Sequence, residues 1–264
     1  MVPLIYKLQR GMDMAYTIEK RDEIIIFEIN RPTIHNAING EVVEGFKQLV
    51  QRVKTDSSIK LAVITGAGEK TFCSGGDLSV FHMLKTEKEA YKMLIETAQV
   101  LYEVATIEIP TIALLNGTAV GGGCEIATLC DFRLVKKESK CGFIQGKLGI
   151  TSGWGGGSYL FEKGMRHDHV LQMLTEAVPY TSDYLLSIGW ATEVYEGDKY
   201  NALHKFSEKM IIPHASVLKA YKKQAIQKWE NTQLYDRIMD EVSGCSILWE
   251  QDTHHKAVDA FLKR

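Results

Sequence analysis

Two glycine-rich stretches, each directly after an apolar run, constrain this chain more than any other feature. The first is Thr71-Phe72-Cys73-Ser74-Gly75-Gly76-Asp77-Leu78, and the second is Asn116-Gly117-Thr118-Ala119-Val120-Gly121-Gly122-Gly123-Cys124-Glu125. Glycine permits positive φ and lets a backbone or ligand approach closely. Taken singly, either stretch reads as a tight strand-to-helix turn. A turn that opens a helix presents free N–H groups, and the helix dipole favours negative charge there. Two such turns facing one another would offer a pair of donors to one developing oxyanion.

The apolar runs around them read as short strands at 23–30, 60–65, 110–116 and 131–135, with a short candidate at 191–195. Helical spacing covers 40–54 and 84–105, and an apolar helix follows Gly123. From about residue 198 the pattern is helical to the end. Strands alternating with helices predict an α/β fold with mostly parallel pairing. The expected organisation is an extension over 1–13, a core over 14–200 and a helical region over 201–264.

The chain has 264 residues, 45% hydrophobic and 24% charged, which argues against disorder, collagen or a coiled coil. Its formal net charge is −2, so it carries no basic footprint for nucleic acid or an anionic membrane. The five cysteines show no C-x-x-C spacing, which predicts free thiols and a cytoplasmic location. No apolar run approaches the roughly 18 residues of a membrane helix. The apolar stretch near the N-terminus is too short for a signal-peptide core. Neither a P-loop nor a G-x-S-x-G elbow occurs, and the glycines at 153–157 do not complete a dinucleotide fingerprint. His167-Asp168-His169 reads as a solvated helix start and His254-His255 as part of a polar tail, so no metal site is expected.

In this order and at about 45 residues apart, the two glycine stretches resemble the crotonase (enoyl-CoA hydratase/isomerase) superfamily. Asn30-Arg31-Pro32 followed by Asn36-Ala37-Ile38 is similar to the family's N-R-P-x-x-x-N-A-L segment. Cys130-Asp131-Phe132-Arg133 resembles its C-D-x-R strand start. Leu148-Gly149-Ile150 with Gly153-Trp154-Gly155-Gly156 resembles its L-G-x-x-P-G-x-G-G stretch, without the proline. Ala260-Phe261-Leu262-Lys263-Arg264 is similar to the terminal A-F-x-x-K/R.

The resemblance implies a spiral of ββα turns with a C-terminal helical module that trimerises, as a homotrimer or a dimer of trimers. It implies an acyl-CoA substrate, with coenzyme A as part of that substrate and no separate cofactor. The implied donors to the thioester oxygen are the N–H of Gly76, after Ser74-Gly75, and the N–H of Gly122. Phe261 is implied to dock near the CoA nucleotide. Arg31, Lys70 and Lys263 are candidates for its phosphates, or plain surface charges. Asp77 stands beside Ser74 and Gly75 in the binding stretch, or caps a helix that begins at Leu78.

Hydrating members of the superfamily carry two glutamates. The first falls on Glu125 and the second on Gln145, an amide that cannot exchange a proton near neutral pH. Catalytic candidates are therefore Glu125, Gly76, Gly122 and Gln145. One carboxylate and an oxyanion hole suffice for enolate chemistry, and the stretch from Cys130 to Gly156 is most similar to the ethylmalonyl-CoA decarboxylase branch. A decarboxylase-like or isomerase-like enzyme is expected. A true hydratase and a non-catalytic CoA-thioester binding protein are the alternatives.

Overall fold

The structure is a computed structural model that describes residues 14–263; the extension read at 1–13 lies outside the described residues. β1 (Tyr16–Arg21) and β2 (Ile24–Ile29) form an antiparallel hairpin that turns at Asp22, where φ is 51°. α1 (Gly40–Thr55) starts where the Asn39 side chain accepts the Val42 N–H, and it buries Val42, Phe46, Leu49 and Val50.

The next three units share one plan: a buried strand enters a large sheet, a short strand enters a second sheet, and helix follows. The first unit is β3 (Leu61–Gly66), β4 (Thr71–Cys73), the short α2 (Leu78–Phe81) and the long α3 (Glu87–Ala105). A second is β5 (Thr111–Leu115), β6 (Thr118–Val120) and α4 (Gly122–Leu129). The third is β7 (Phe132–Lys136), β8 (Lys140–Gly142), α5 (Gly156–Glu162) and α6 (His167–Thr175). This is a spiral of ββα turns. After it come β9 (Tyr180–Thr181), α7 (Ser182–Ser187), β10 (Glu193–Tyr195) and α8 (Lys199–Ser207). The chain then runs through α9 (Ala215–Asn231), α10 (Leu234–Trp249) and α11 (Asp252–Leu262).

The large sheet has the order β1-β2-β3-β5-β7-β10 and is parallel beyond the first hairpin. The small sheet has the order β4-β6-β8-β9, parallel except for β9. Every residue of β3 and β5 is buried, which is why these strands read as unbroken apolar runs. The strands of the small sheet span two or three residues each, and β4 and β6 lie inside the two glycine stretches that read as turns. β1 was also missed, because its exposed face is polar. α6 begins at the helix start read at His167, whereas α5 and α7 have no counterpart in the sequence pattern.

The C-terminal helices close over the spiral. Trp229, Leu234, Ile238, Val242, Cys245 and Trp249 join the same apolar core as β3, α3 and α4. His254 departs from the expectation of a solvated tail: it is 3% exposed, lies on Trp249 and shares a hydrogen bond with the Leu148 carbonyl. His167 is exposed at the start of α6, as expected.

Candidate active site

Pairing of β4 with β6 brings the two glycine stretches into backbone contact. A Cβ at Gly75 would lie 2.9 Å from the Gly122 nitrogen, and one at Gly123 would lie 2.0 Å from the Cys73 carbonyl oxygen. Gly75 also has φ of +96°, so this turn requires glycine on both counts. Gly122 is the first residue of α4, so its N–H has no partner within the helix. Neither the Gly76 nor the Gly122 N–H has an acceptor among the described residues. Aromatic rings cover both glycines. A Cβ would come within 2.4 Å of Phe81 at Gly76, and within 2.2 Å of Trp154 at Gly122.

Two buried asparagines hold the turns in place. Asn36 donates to the carbonyls of Ala67 and Thr71 and accepts the Arg31 N–H. Asn116 donates to Gly68 and Thr71 and accepts the Gly66 N–H. The Asp77 carboxylate accepts the N–H and hydroxyl of Ser79 at the start of α2. Its other oxygen pairs with Arg31 at 2.8 Å, and Arg31 also donates to the Ala37 carbonyl. Arg31 and Asp77 thus act together as an internal brace. Ser74 donates its N–H to His35. Lys70, Phe261 and Lys263 are exposed, with Phe261 on α11.

Glu125 lies one turn beyond Gly122 on α4 and is 3% exposed. Four donors face its carboxylate. Oε1 accepts the Gln145 amide at 2.8 Å and the Gly153 N–H at 3.4 Å, and Oε2 accepts the N–H groups of Trp154 at 2.8 Å and Gly156 at 2.9 Å. Gln145 is itself buried, and its Oε1 has no partner. Gly156 has no side chain because a Cβ would sit 2.5 Å from Glu125 Cγ.

Sequence reasoning missed Glu241. This residue on α10 accepts the N–H groups of Gly157 at 3.2 Å and Ser158 at 2.8 Å, and the Ser158 hydroxyl at 2.7 Å. A signal was available: Glu241 falls three residues after Ile238 and four before Cys245, on the buried stripe of an amphipathic helix. Burial, then the charge of Glu241, pushes the Glu125 carboxyl above its ordinary value, against the pull of its N–H donors. Burial likewise raises Glu241, against its bonds to Ser152, Ser158 and Gly157.

At the far end of α4 the charges are reversed. Lys163 donates to the Leu129 and Cys130 carbonyls, and buried Arg133 donates to Cys130 and Trp190. Asp131 pairs with Lys222 of α9 at 2.7 Å. Burial pushes the Lys163 amine down to about 7. These cations satisfy the carbonyl end of a short helix whose N–H end carries Gly122 and Glu125.

The enoyl-CoA hydratase/isomerase family model matches residues 19–264. The chain belongs to the enoyl-CoA hydratase/isomerase family. Within that family it is 30% identical over 250 residues to a short-chain-enoyl-CoA hydratase of Clostridium acetobutylicum, covering 94% of each chain. It is 29% identical over 226 residues to an ethylmalonyl-CoA decarboxylase of Xenopus laevis, covering 84% of this chain and 74% of the relative. Its fold is that of an enoyl-CoA hydratase from Bacillus halodurans, with a TM-score of 0.84 at 20% identity over 93% of this chain and 99% of the other. Membership of this family makes the chain an enzyme of acyl-CoA thioesters. Among the described residues, no helix is long and apolar enough to cross a membrane.

Proposed function

We propose that this enoyl-CoA hydratase/isomerase-family enzyme decarboxylates a short malonyl-type CoA thioester. The observation that carries the reading is the pairing at Glu125: an amide, not a second carboxylate, meets it at 2.8 Å. Concerted hydration uses two proton-exchanging groups on one water, and Gln145 cannot be one of them. Decarboxylation asks for less. The Gly76 and Gly122 N–H groups receive the thioester oxygen as the C2–carboxyl bond breaks and an enolate forms. CO2 leaves, and the Glu125 carboxyl then gives its proton to C2. Loss of one donor from such a hole costs about 10²–10³ in rate.

Among the described residues, no cation pairs with Glu125, and its raised proton affinity suits an acid that stays protonated beside an anionic substrate. The 29% identity to ethylmalonyl-CoA decarboxylases supports the same reading. Double-bond isomerisation through the same enolate is the nearest relative of this chemistry. Coenzyme A enters as part of the substrate. The exposed Phe261, Lys263 and Lys70 are proposed to meet its nucleotide in a trimeric assembly.

The test is Gln145→Glu, which restores a nearly isosteric carboxylate. Hydration of a short enoyl-CoA is expected to rise by about 10-fold or more, since a positioned acid or base contributes roughly 10²–10⁴. Decarboxylation of the anionic substrate is expected to fall. Robust hydration by the wild type, unaffected by Gln145→Ala, would overturn the assignment.

A further inference from the structure

Glu125 and Glu241 approach the Gly153–Ser158 segment from different helices, α4 and α10, and divide its N–H groups between them. Glu125 takes Gly153, Trp154 and Gly156, and Glu241 takes the next two, Gly157 and Ser158. Consecutive glycines admit them. A Cβ at Gly156 would strike Glu125 Cγ at 2.5 Å, and one at Gly157 would come 3.3 Å from Glu241 Oε2. Neither carboxylate has a salt-bridge partner among the described residues. The other titratable groups facing the pair are Cys124 on α4, Tyr159 on α5 and Cys245 on α10. Burial holds all three in their neutral forms, so none supplies a counter-charge.

Two negative charges on one short run of N–H groups, with no cation, favour retention of one proton by the pair. We propose that Glu241 is a positioning residue of the active site, acting through the Gly153–Ser158 segment to keep the Glu125 carboxyl protonated until an enolate collects the proton. The inference rests on the proposed role of Glu125 as acid. In the step itself the Glu125 O–H bond breaks as the C2–H bond forms. The carboxylate left behind keeps its N–H bonds to Trp154 and Gly156 and regains a proton from water. Glu241 thus supplies by repulsion what a second carboxylate at position 145 would supply by contact.

Carboxyl titration tests this without any substrate. Protein labelled with 13C at the glutamate side-chain carboxyl is followed by NMR, and the signals are assigned by their loss in Glu125→Gln and Glu241→Gln. In the wild type both signals are expected to titrate above the ordinary glutamate range, each in two steps that report the other's ionisation. In Glu241→Gln the Glu125 midpoint is expected to fall by at least about one pH unit, and Glu241→Asp, which keeps the charge, is expected to restore it. A Glu241 that merely caps α5 would leave the midpoint unmoved in a folded variant, and that result would overturn the proposal. Independent one-step titrations in the wild type would overturn it as well, whatever the variants do. The high-pH limit of decarboxylation is expected to move down with the midpoint, at unchanged KM. A protein that titrates as described yet turns over no malonyl-type thioester would overturn the functional reading alone.

Discussion

At the residue scale, the site depends on side chains that are absent. Gly156→Ala would drive a Cβ to 2.5 Å from Glu125 Cγ and push the carboxylate off its N–H donors. Turnover is expected to drop by roughly 10²-fold or more, the scale on which lost positioning of an acid is felt. Steady-state kinetics on purified, folded variant checks this. The buried carboxyl pair also sets a pH dependence of stability. The native pair holds its proton above the ordinary carboxyl value of 4.5, so the unfolded chain releases a proton first as pH rises. The pair's contribution is therefore fully present below that value and is lost as pH rises toward the elevated native one. Urea unfolding across this window is expected to show a shallower decline for Glu241→Gln than for the wild type. The difference between the two isolates the pair from Asp131 and Glu162, whose folded values are lowered and whose contributions have the opposite sign.

At the element scale, α4 is where fold and chemistry meet. Its N-terminus carries Gly122 and Glu125, and its C-terminus is held by Lys163, Arg133 and the Asp131–Lys222 pair. Lys222 is 2% exposed at its side chain, so Lys222→Ala leaves the half-buried Asp131 carboxylate with the Thr111 N–H and hydroxyl and, at 3.9 Å, Lys163 to answer it. A loss of stability of about 1.5–3 kcal/mol is expected, the scale of a hydrogen bond to a charged group, measured by denaturant unfolding. The large sheet was legible in the sequence because buried parallel strands leave unbroken apolar runs, as in Lys60–Thr65 and Pro110–Asn116. The small sheet was not. β4, β6 and β8 span three residues each, too short to show a period of two, and they adjoin the glycine turns whose signal dominates the local sequence.

At the scale of the whole molecule, the C-terminal helices do more than cover the core. α10 sets Ile238 against Gly155, Cys245 against Gly153 and Glu241 against Gly157, so it forms the back wall of the segment that holds Glu125. This joining of distant segments explains what the sequence left hidden. Glycine turns and Glu125 announce themselves locally, whereas Glu241 acquires meaning only once residues 153–158 lie beside it. Gln145 stood between these cases: its position was countable from Gly149, and its bond to Glu125 is a product of the fold. The decisive measurement offers the wild-type enzyme a short malonyl-type CoA thioester and a short enoyl-CoA side by side, following CO2 release and hydration. The predicted result is Glu125-dependent CO2 release with little or no hydration. Rapid hydration of the enoyl-CoA without CO2 release from the malonyl-type thioester would contradict it.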